Sequence, residues 1–338
     1  MMQSNEDGRL LAVDKQFFSV HGITVCLTGS CRPVMEETGN ELRFFRSRPT
    51  LNPTISLQVE EREGLNPAMT HPAGTDLEPG DEVHWVNGEM ATVLNIPRRR
   101  AHLFLSSSAP VDAAVVVLFG IAGFLLSLEL SLREKIASFH GASWEKDGKA
   151  LLLLGKTNSG KTSLSYVMTG HGFSYLSEED SFVRQVGQDT FQVLPYPRRI
   201  RIAEAVMALQ PELRRLPDEK SLVDSLDEKV FRIDSRKATG PVPLKGVILL
   251  DNGAETPSIS TAPVPKTEAL FALLAALEKV SVAGSPPSAW NDLKGRNRRA
   301  FSVAKSLVDS LCVKRLKYSI KRDFADLPGV IAGLFETE

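Results

Sequence analysis

A chain of 338 residues is longer than the roughly 100–200 residues of an average domain, so two domains are expected, with one large α/β domain as the alternative. Its 42% hydrophobic and 24% charged residues are those of an ordinary globular chain and exclude disorder, collagen and repetitive fibres. Forty basic residues against 41 acidic ones leave a net charge of −1, with no overall pull toward nucleic acid or an anionic membrane.

The three cysteines, Cys26, Cys31 and Cys312, have no metal-ligand spacing, and so sparse and odd a count fits a reducing compartment. The first 14 residues mix charges of both signs without a basic stretch feeding an apolar one. No secretory signal is expected, and the chain is read as cytoplasmic.

From residue 15 to about 105 the pattern is one of short alternating runs, 17–27, 42–45, 54–59, 82–85, 90–96 and 102–105, divided by turn formers such as Asn66-Pro67 and Pro79-Gly80-Asp81. This predicts a β-rich N-terminal domain over 1–108, with a hairpin at Asn87-Gly88 because both residues tolerate positive φ. Residues 113–128 follow as 16 uncharged, mostly apolar residues, short of the roughly 20 that a spanning helix needs. A buried connecting helix over 109–135 is therefore expected, and no membrane partner. Beyond it, strand signals at 150–154, 173–176 and 247–251 alternate with helix signals at 161–169, 267–280 and 298–311, which predicts an α/β domain. The stretches 218–229 and 281–288 read as loops, and no internal repeat is present.

One segment is far more informative than the rest. Gly155-Lys156-Thr157-Asn158-Ser159-Gly160-Lys161-Thr162 satisfies G-x-x-x-x-G-K-[ST] in full, follows four leucines typical of a buried parallel strand, and precedes a helical pattern from Ser163. In that setting the backbone N–H groups around Asn158, Ser159, Gly160 and Ser163 converge on an anion. Lys161 reaches the β and γ phosphates, and the Thr162 hydroxyl binds Mg²⁺. Gly155 and Gly160 let the backbone come close, so a nucleoside triphosphate with Mg²⁺ is the expected ligand.

Accessory motifs narrow the class. There is no Asn-Lys-x-Asp guanine motif and no Leu-Ser-Gly-Gly-Gln signature, and the Asp-x-x-Gly at Asp326 to Gly329 lies far from the P-loop, which leaves the kinases. The strand 247–251 reads as a buried strand ending in the polar turn Asp251-Asn252-Gly253, ahead of a metal site. The acids Glu178-Glu179-Asp180 begin 17 residues beyond Lys161, at the end of the next strand. Such crowding is tolerable where Mg²⁺ and a substrate hydroxyl share the charge, and it raises a pKa toward base function; a solvated acidic turn is the alternative.

In this order the residues resemble the catalytic domain of the HPr serine kinase/phosphorylase family, above all its shorter relatives in peptide-modification pathways of the lasso-peptide type. His140-Gly141 stands before the P-loop strand, Gly172-Phe173-Ser174-Tyr175-Leu176-Ser177 leads to the paired acids, and Leu194-Pro195-Tyr196-Pro197-Arg198-Arg199 corresponds to the family's proline and arginine segment. The resemblance covers 136–325. It implies an α/β P-loop kinase domain of HPr kinase type over 136–338, transferring the γ-phosphoryl group of ATP to a hydroxyl, foremost a serine of a peptide or protein. Lys161 and the loop then hold the phosphates, Thr162 and Glu179 hold Mg²⁺, Glu178 accepts the acceptor's proton with His140 orienting it, and Arg198 or Arg199 contacts phosphate. Glutamates stand where the family has aspartates, so the carboxylates reach one methylene further. Asn158 stands where the family has glycine, and Asn tolerates left-handed φ better than other side chains. A kinase acting on free serine or another small alcohol, and a nucleotide-binding scaffold without catalysis, are the alternatives; a homo-oligomer is left open. Taken alone, His140 reads equally as a histidine in a turn. Arg198, Arg199 and Arg201, and the basic C-terminal residues, read equally as solvated faces.

Overall fold

A computed structural model describes residues 3–4, 10–11, 14–157, 159–197, 200–203, 228–231, 240–253, 258–277, 290–319, 322–323 and 325–336. The chain divides into two units, Met1–Leu130 with Val280–Gly295, and Ser131–Lys279 with Arg296–Glu338.

In the first unit two short strands, β1 (Gln3–Ser4) and β2 (Leu10–Leu11), pair with each other. The main sheet comprises β3 (Asp14–Val20), β4 (Ile23–Gly29), β5 (Ile55–Glu61), β6 (Asp81–Asn87), β7 (Met90–Asn95) and β8 (Arg100–Leu105), ordered β3-β4-β5-β8-β7-β6. The run 17–27, expected as one strand, is a hairpin: His21 and Gly22, at φ 50° and 82°, form the tight turn whose twist matches the flanking strands. The parallel β4–β5 pairing needs a crossover, which helix α1 (Arg32–Glu41) supplies with Pro33 in its first turn. The sequence gave no sign of this helix, and 42–45, expected as a strand, is a 3₁₀ turn at Arg43–Phe45 that follows it. So short an apolar run cannot be told from a helix end by periodicity. The hairpin at Asn87-Gly88 forms, but neither residue has a left-handed φ, and the β6–β7 ladder shifts register between Trp85 and Asn87 beside it.

Helix α2 (Val111–Arg133) is 23 residues long because charged residues at both ends continue the apolar run. Its most apolar 18-residue window has a mean hydropathy of 2.4, so the helix is long and apolar enough to cross a membrane and the expectation that the run is too short fails. Burial is the better discriminator: 56% of that window lies inside the protein, Leu118, Leu125 and Leu126 completely. Buried Arg99 donates to Glu129 at 2.6 Å and to Asp292 at 2.7 Å, which accounts for the grouping of 280–295 with this unit. Arg99→Ala is expected to destabilise the fold by about 3–5 kcal/mol, since it strips the shared guanidinium from two carboxylates. Arg99→Lys, lacking the planar fork, should recover only part of that loss. Thermal unfolding decides, and an unchanged Tm in the alanine variant would refute the role of the cluster.

The second unit opens with β9 (Ile136–Lys146) and β10 (Lys149–Leu154), a hairpin turning through Asp147-Gly148. Helix α3 (Lys161–Gly170), β11 (Ser174–Ser177), β12 (Asp180–Gln185) and β13 (Phe191–Leu194) follow, then a separate pair, β14 (Ile200–Ala203) and β15 (Glu228–Phe231). β16 (Val242–Asn252), β17 (Ser260–Pro263), α4 (Lys266–Ala276), α5 (Trp290–Ser310), β18 (Val313–Tyr318) and α6 (Leu327–Glu336) complete it. The ladders run β10-β9-β12-β13-β16 and return to β10 through the parallel β10–β16 pairing, with β18 and β17 beyond β16. Both faces are covered, which is why four leucines stand in a row. Leu151 and Leu153 pack with Leu164, Tyr166, Ile331 and Phe335 on the α3 and α6 side. Leu152 and Leu154 pack with Leu273, Val303 and Leu307 on the α4 and α5 side. The chain is thus a mixed α/β protein with two main sheets. β9 went unrecognised because its small and polar residues, Ser138, His140, Gly141 and Ser143, break the period-two pattern. Of the expected loops, 281–288 lies outside the described residues, as does 218–229 except for 228–229, which open β15.

Candidate nucleotide-binding site

β10 ends at Leu154 and α3 starts at Lys161, so residues 155–160 form the connection that the P-loop motif demands. Gly160 caps the helix at φ 91°, a conformation that an L side chain resists. Ser159 folds beneath the loop, where its buried hydroxyl has no hydrogen-bond partner and a Cβ on Gly155 would stand 2.3 Å from it. Lys161 is buried, its Nζ donating to the carbonyls of Gly155 at 2.8 Å and Lys156 at 3.1 Å. Burial pushes the lysine pKa down, and the nearby Glu178 and Glu179 carboxylates push it back up. Ser163 is buried in the first turn of α3, while Asn158, Arg198 and Arg199 lie outside the described residues.

The Thr162 hydroxyl donates to Glu178 Oε1, which brings Thr162 together with Glu178, whereas the expectation named Glu179 as its companion at the metal. The backbone gives the reason. β11 carries Glu178 inward to 7% exposure, then the chain turns at Glu179, whose φ is 64°, and the Asp180 N–H donates back to the Glu178 carbonyl at 2.8 Å. An i→i+2 bond around a residue of positive φ is a γ-turn of the rarer, strained hand. It leaves the Glu179 side chain exposed.

The turn is held from both sides. β9 pairs with the chain before and after it at the same offset, Ser177 opposite Ser143 and Asp180 opposite His140, and the Gly141 N–H donates to the Glu179 carbonyl at 3.1 Å. Behind it the buried hydroxyls of Ser177 and Ser181 lie 2.7 Å apart, with that of Ser143 2.5 Å from Ser177. Only glycine fits at 141, where a Cβ would come within 2.6 Å of the Leu153 carbonyl oxygen. His140, exposed, thus stands on the strand that fixes the acidic turn. The proline segment runs alongside, the Tyr196 N–H donating to the Leu176 carbonyl at 2.8 Å.

Ser143, Ser181 and Tyr318 escaped sequence reasoning, and Ser177 entered it only as part of a longer motif, since a lone serine or tyrosine in a strand announces nothing. Tyr318, fully buried at the end of β18, donates its hydroxyl to the Ser159 carbonyl, and burial pushes its phenol pKa up. Tyr318→Phe keeps the ring but strands that carbonyl, at a cost of about 1–3 kcal/mol. ATP binding by calorimetry should weaken about tenfold, a share of that cost. Tyr318→Leu, which also empties the ring's place, should lower the Tm as well. Wild-type ATP affinity in Tyr318→Phe would refute the latch.

Beside the loop opens a cavity of about 850 Å³, lined by His140, Leu154, residues 155–157, Ser159 and the end of β16. β16 is the parallel neighbour of β10, with Leu249 opposite Leu154, and it brings exposed Asp251 to the cavity. Among the described residues no three His, Cys, Asp or Glu side chains gather into a metal cage. The donors that do meet, Thr162 and Glu178, suit an ion that takes one or two protein ligands and completes its shell with phosphate oxygens and water, as Mg²⁺ does.

No protein-family model and no curated protein matches this chain. Among solved structures, similarity is found to the Hpr(Ser) kinase/phosphatase from Coxiella burnetii, at 13% identity and a TM-score of 0.29, covering 59% of this chain and 93% of that one. So distant a likeness carries no argument, and the family resemblance rests on the order of motifs.

Proposed function

We propose that this chain is a kinase that uses ATP and Mg²⁺ to phosphorylate a hydroxyl, foremost a serine of a peptide or protein, as its resemblance to the HPr kinase type implies. One observation supports this above the others: a complete P-loop whose Thr162 is bonded to buried Glu178, next to a second carboxylate, exposed Glu179, carried on a strained turn. A strained turn that carries an exposed carboxylate at its tip suits a group that acts on a substrate.

Phosphoryl transfer is mostly positioning and charge neutralisation. Lys161 and the loop amides hold the phosphates. Thr162 and Glu178 hold Mg²⁺, which neutralises phosphate charge. Glu179 takes the acceptor's proton with His140 orienting it, so the two glutamates exchange the roles the resemblance assigns them. Arg198 or Arg199 contacts phosphate. The free cysteines suit a cytoplasmic enzyme.

The test supplies the intact protein with ATP, Mg²⁺ and either a serine-containing peptide or free serine. Release of ADP that requires the peptide, with phosphate recovered on its serine, is the expected result. Phosphate on free serine alone would move the assignment to a small-metabolite kinase. ATP binding without turnover on any acceptor would leave a nucleotide-binding scaffold.

A further inference from the structure

The cavity beside the P-loop is larger than a triphosphate requires. At about 850 Å³ it lies in the upper part of the roughly 300–1,000 Å³ range that encloses an entire drug-sized ligand. Away from the loop its character changes. One wall is α4, where Ala272, Ala275 and Ala276 share a helix face and extend no further than Cβ. Leu154 and Leu249, neighbours across the β10–β16 ladder, line the same space, so a shallow apolar slot is left between helix and sheet. Its edge is polar: Asp251 stands at the end of β16, and Arg315 of β18, opposite Leu249 in the ladder, donates to Glu268 one turn before the alanines.

The charges indicate what this end accepts. Among the described residues at this end, two carboxylates, Asp251 and Glu268, stand against the guanidinium of Arg315 and make it unfavourable for phosphate or an acidic acceptor, whereas a flat, neutral, weakly polar ring meets no penalty there. We propose that this end is the nucleoside subsite of the P-loop: the base lies in the alanine–leucine slot and the sugar hydroxyls donate to Asp251. The inference rests on the nucleotide reading above and adds to it the residues that distinguish a nucleotide from bare phosphates.

Two probes separate the parts, MgATP and magnesium tripolyphosphate, titrated by calorimetry into the intact protein. Ala276→Leu, which narrows the slot, and Asp251→Ala, an exposed position whose loss leaves the core alone, are each expected to weaken ATP about tenfold. Tripolyphosphate affinity should stay within about twofold of wild type, and thermal unfolding confirms that both variants are folded. Equal ATP affinity in both folded variants would overturn the subsite, as would a parallel loss for both probes, which would locate the effect in the loop. Unchanged ATP binding with a raised KM for the acceptor would overturn it in favour of an acceptor site. A wild-type chain that binds neither probe would overturn the nucleotide reading itself, and a chain that binds both while the variants discriminate neither would overturn the subsite alone.

Discussion

Glu179→Gln is expected to bind ATP and Mg²⁺ as the wild type does and yet transfer phosphate about 10²–10⁴-fold more slowly, the usual contribution of a general base. Glutamine keeps the size of the side chain and the strained turn beneath it, so the loss is chemical and not conformational. Glu178→Gln should behave differently. Its carboxylate is buried against the Thr162 hydroxyl, so the amide should raise the Mg²⁺ concentration needed for turnover and weaken MgATP in the ground state as well. Rates of phosphate incorporation at varied Mg²⁺ for the two variants decide between them. Full transfer rates in Glu179→Gln, with the loss falling on Glu178→Gln at every Mg²⁺ concentration, would restore the opposite assignment.

Lys161→Ala is expected to lose most nucleotide affinity and nearly all transfer while remaining folded. A charge-assisted hydrogen bond is worth about 1.5–3 kcal/mol in binding, and a cation aimed at charge developing in the transition state about 10²–10³-fold in rate. The fold should not suffer. Burial already disfavours the ammonium, as its lowered pKa records, so removing it takes away a desolvation cost along with two hydrogen bonds to carbonyls. Calorimetry with ATP and a thermal unfolding curve read the two halves separately. ATP affinity and turnover equal to wild type in a folded variant would remove the phosphate-binding assignment.

The strand, turn and helix around the motif were legible because their geometry is local: the glycine at φ 91°, the lysine that opens the helix and the leucine strand before it all lie within a dozen residues. The different placement of Glu178, buried, and Glu179, exposed, was not legible, since two adjacent identical residues carry no mark that tells them apart. What distinguishes them is a turn fixed by the ladder to β9, some 40 residues earlier, and by hydroxyls of Ser143, Ser177 and Ser181 that no short pattern unites. His140-Gly141 was noticed only for its place in the order of motifs; the close approach that excludes a side chain at 141 belongs to tertiary structure. In the first unit, α1 was missed because Arg32 to Glu41 lacks a continuous apolar stripe and is needed chiefly to return the chain for a parallel pairing. The apolar run of α2 was read as too short to span a membrane because only the uncharged residues were measured, whereas a helix runs on through charges at its ends.

The bond from Tyr318 to the Ser159 carbonyl spans 159 residues of chain. At a synthesis rate of about 5–20 residues per second, roughly 8–30 s pass between the emergence of the loop and that of its latch. Through that interval the loop exists as sequence but not as a fixed cradle, because contacts this distant form only after the intervening loop-closure entropy has been met. A nascent chain therefore carries the proposed phosphate site in unfinished form. The loop gains this latch only once β18 has docked beside β16, so on the proposed reading nucleotide binding would report on completed folding of the second unit and not on the mere presence of the motif.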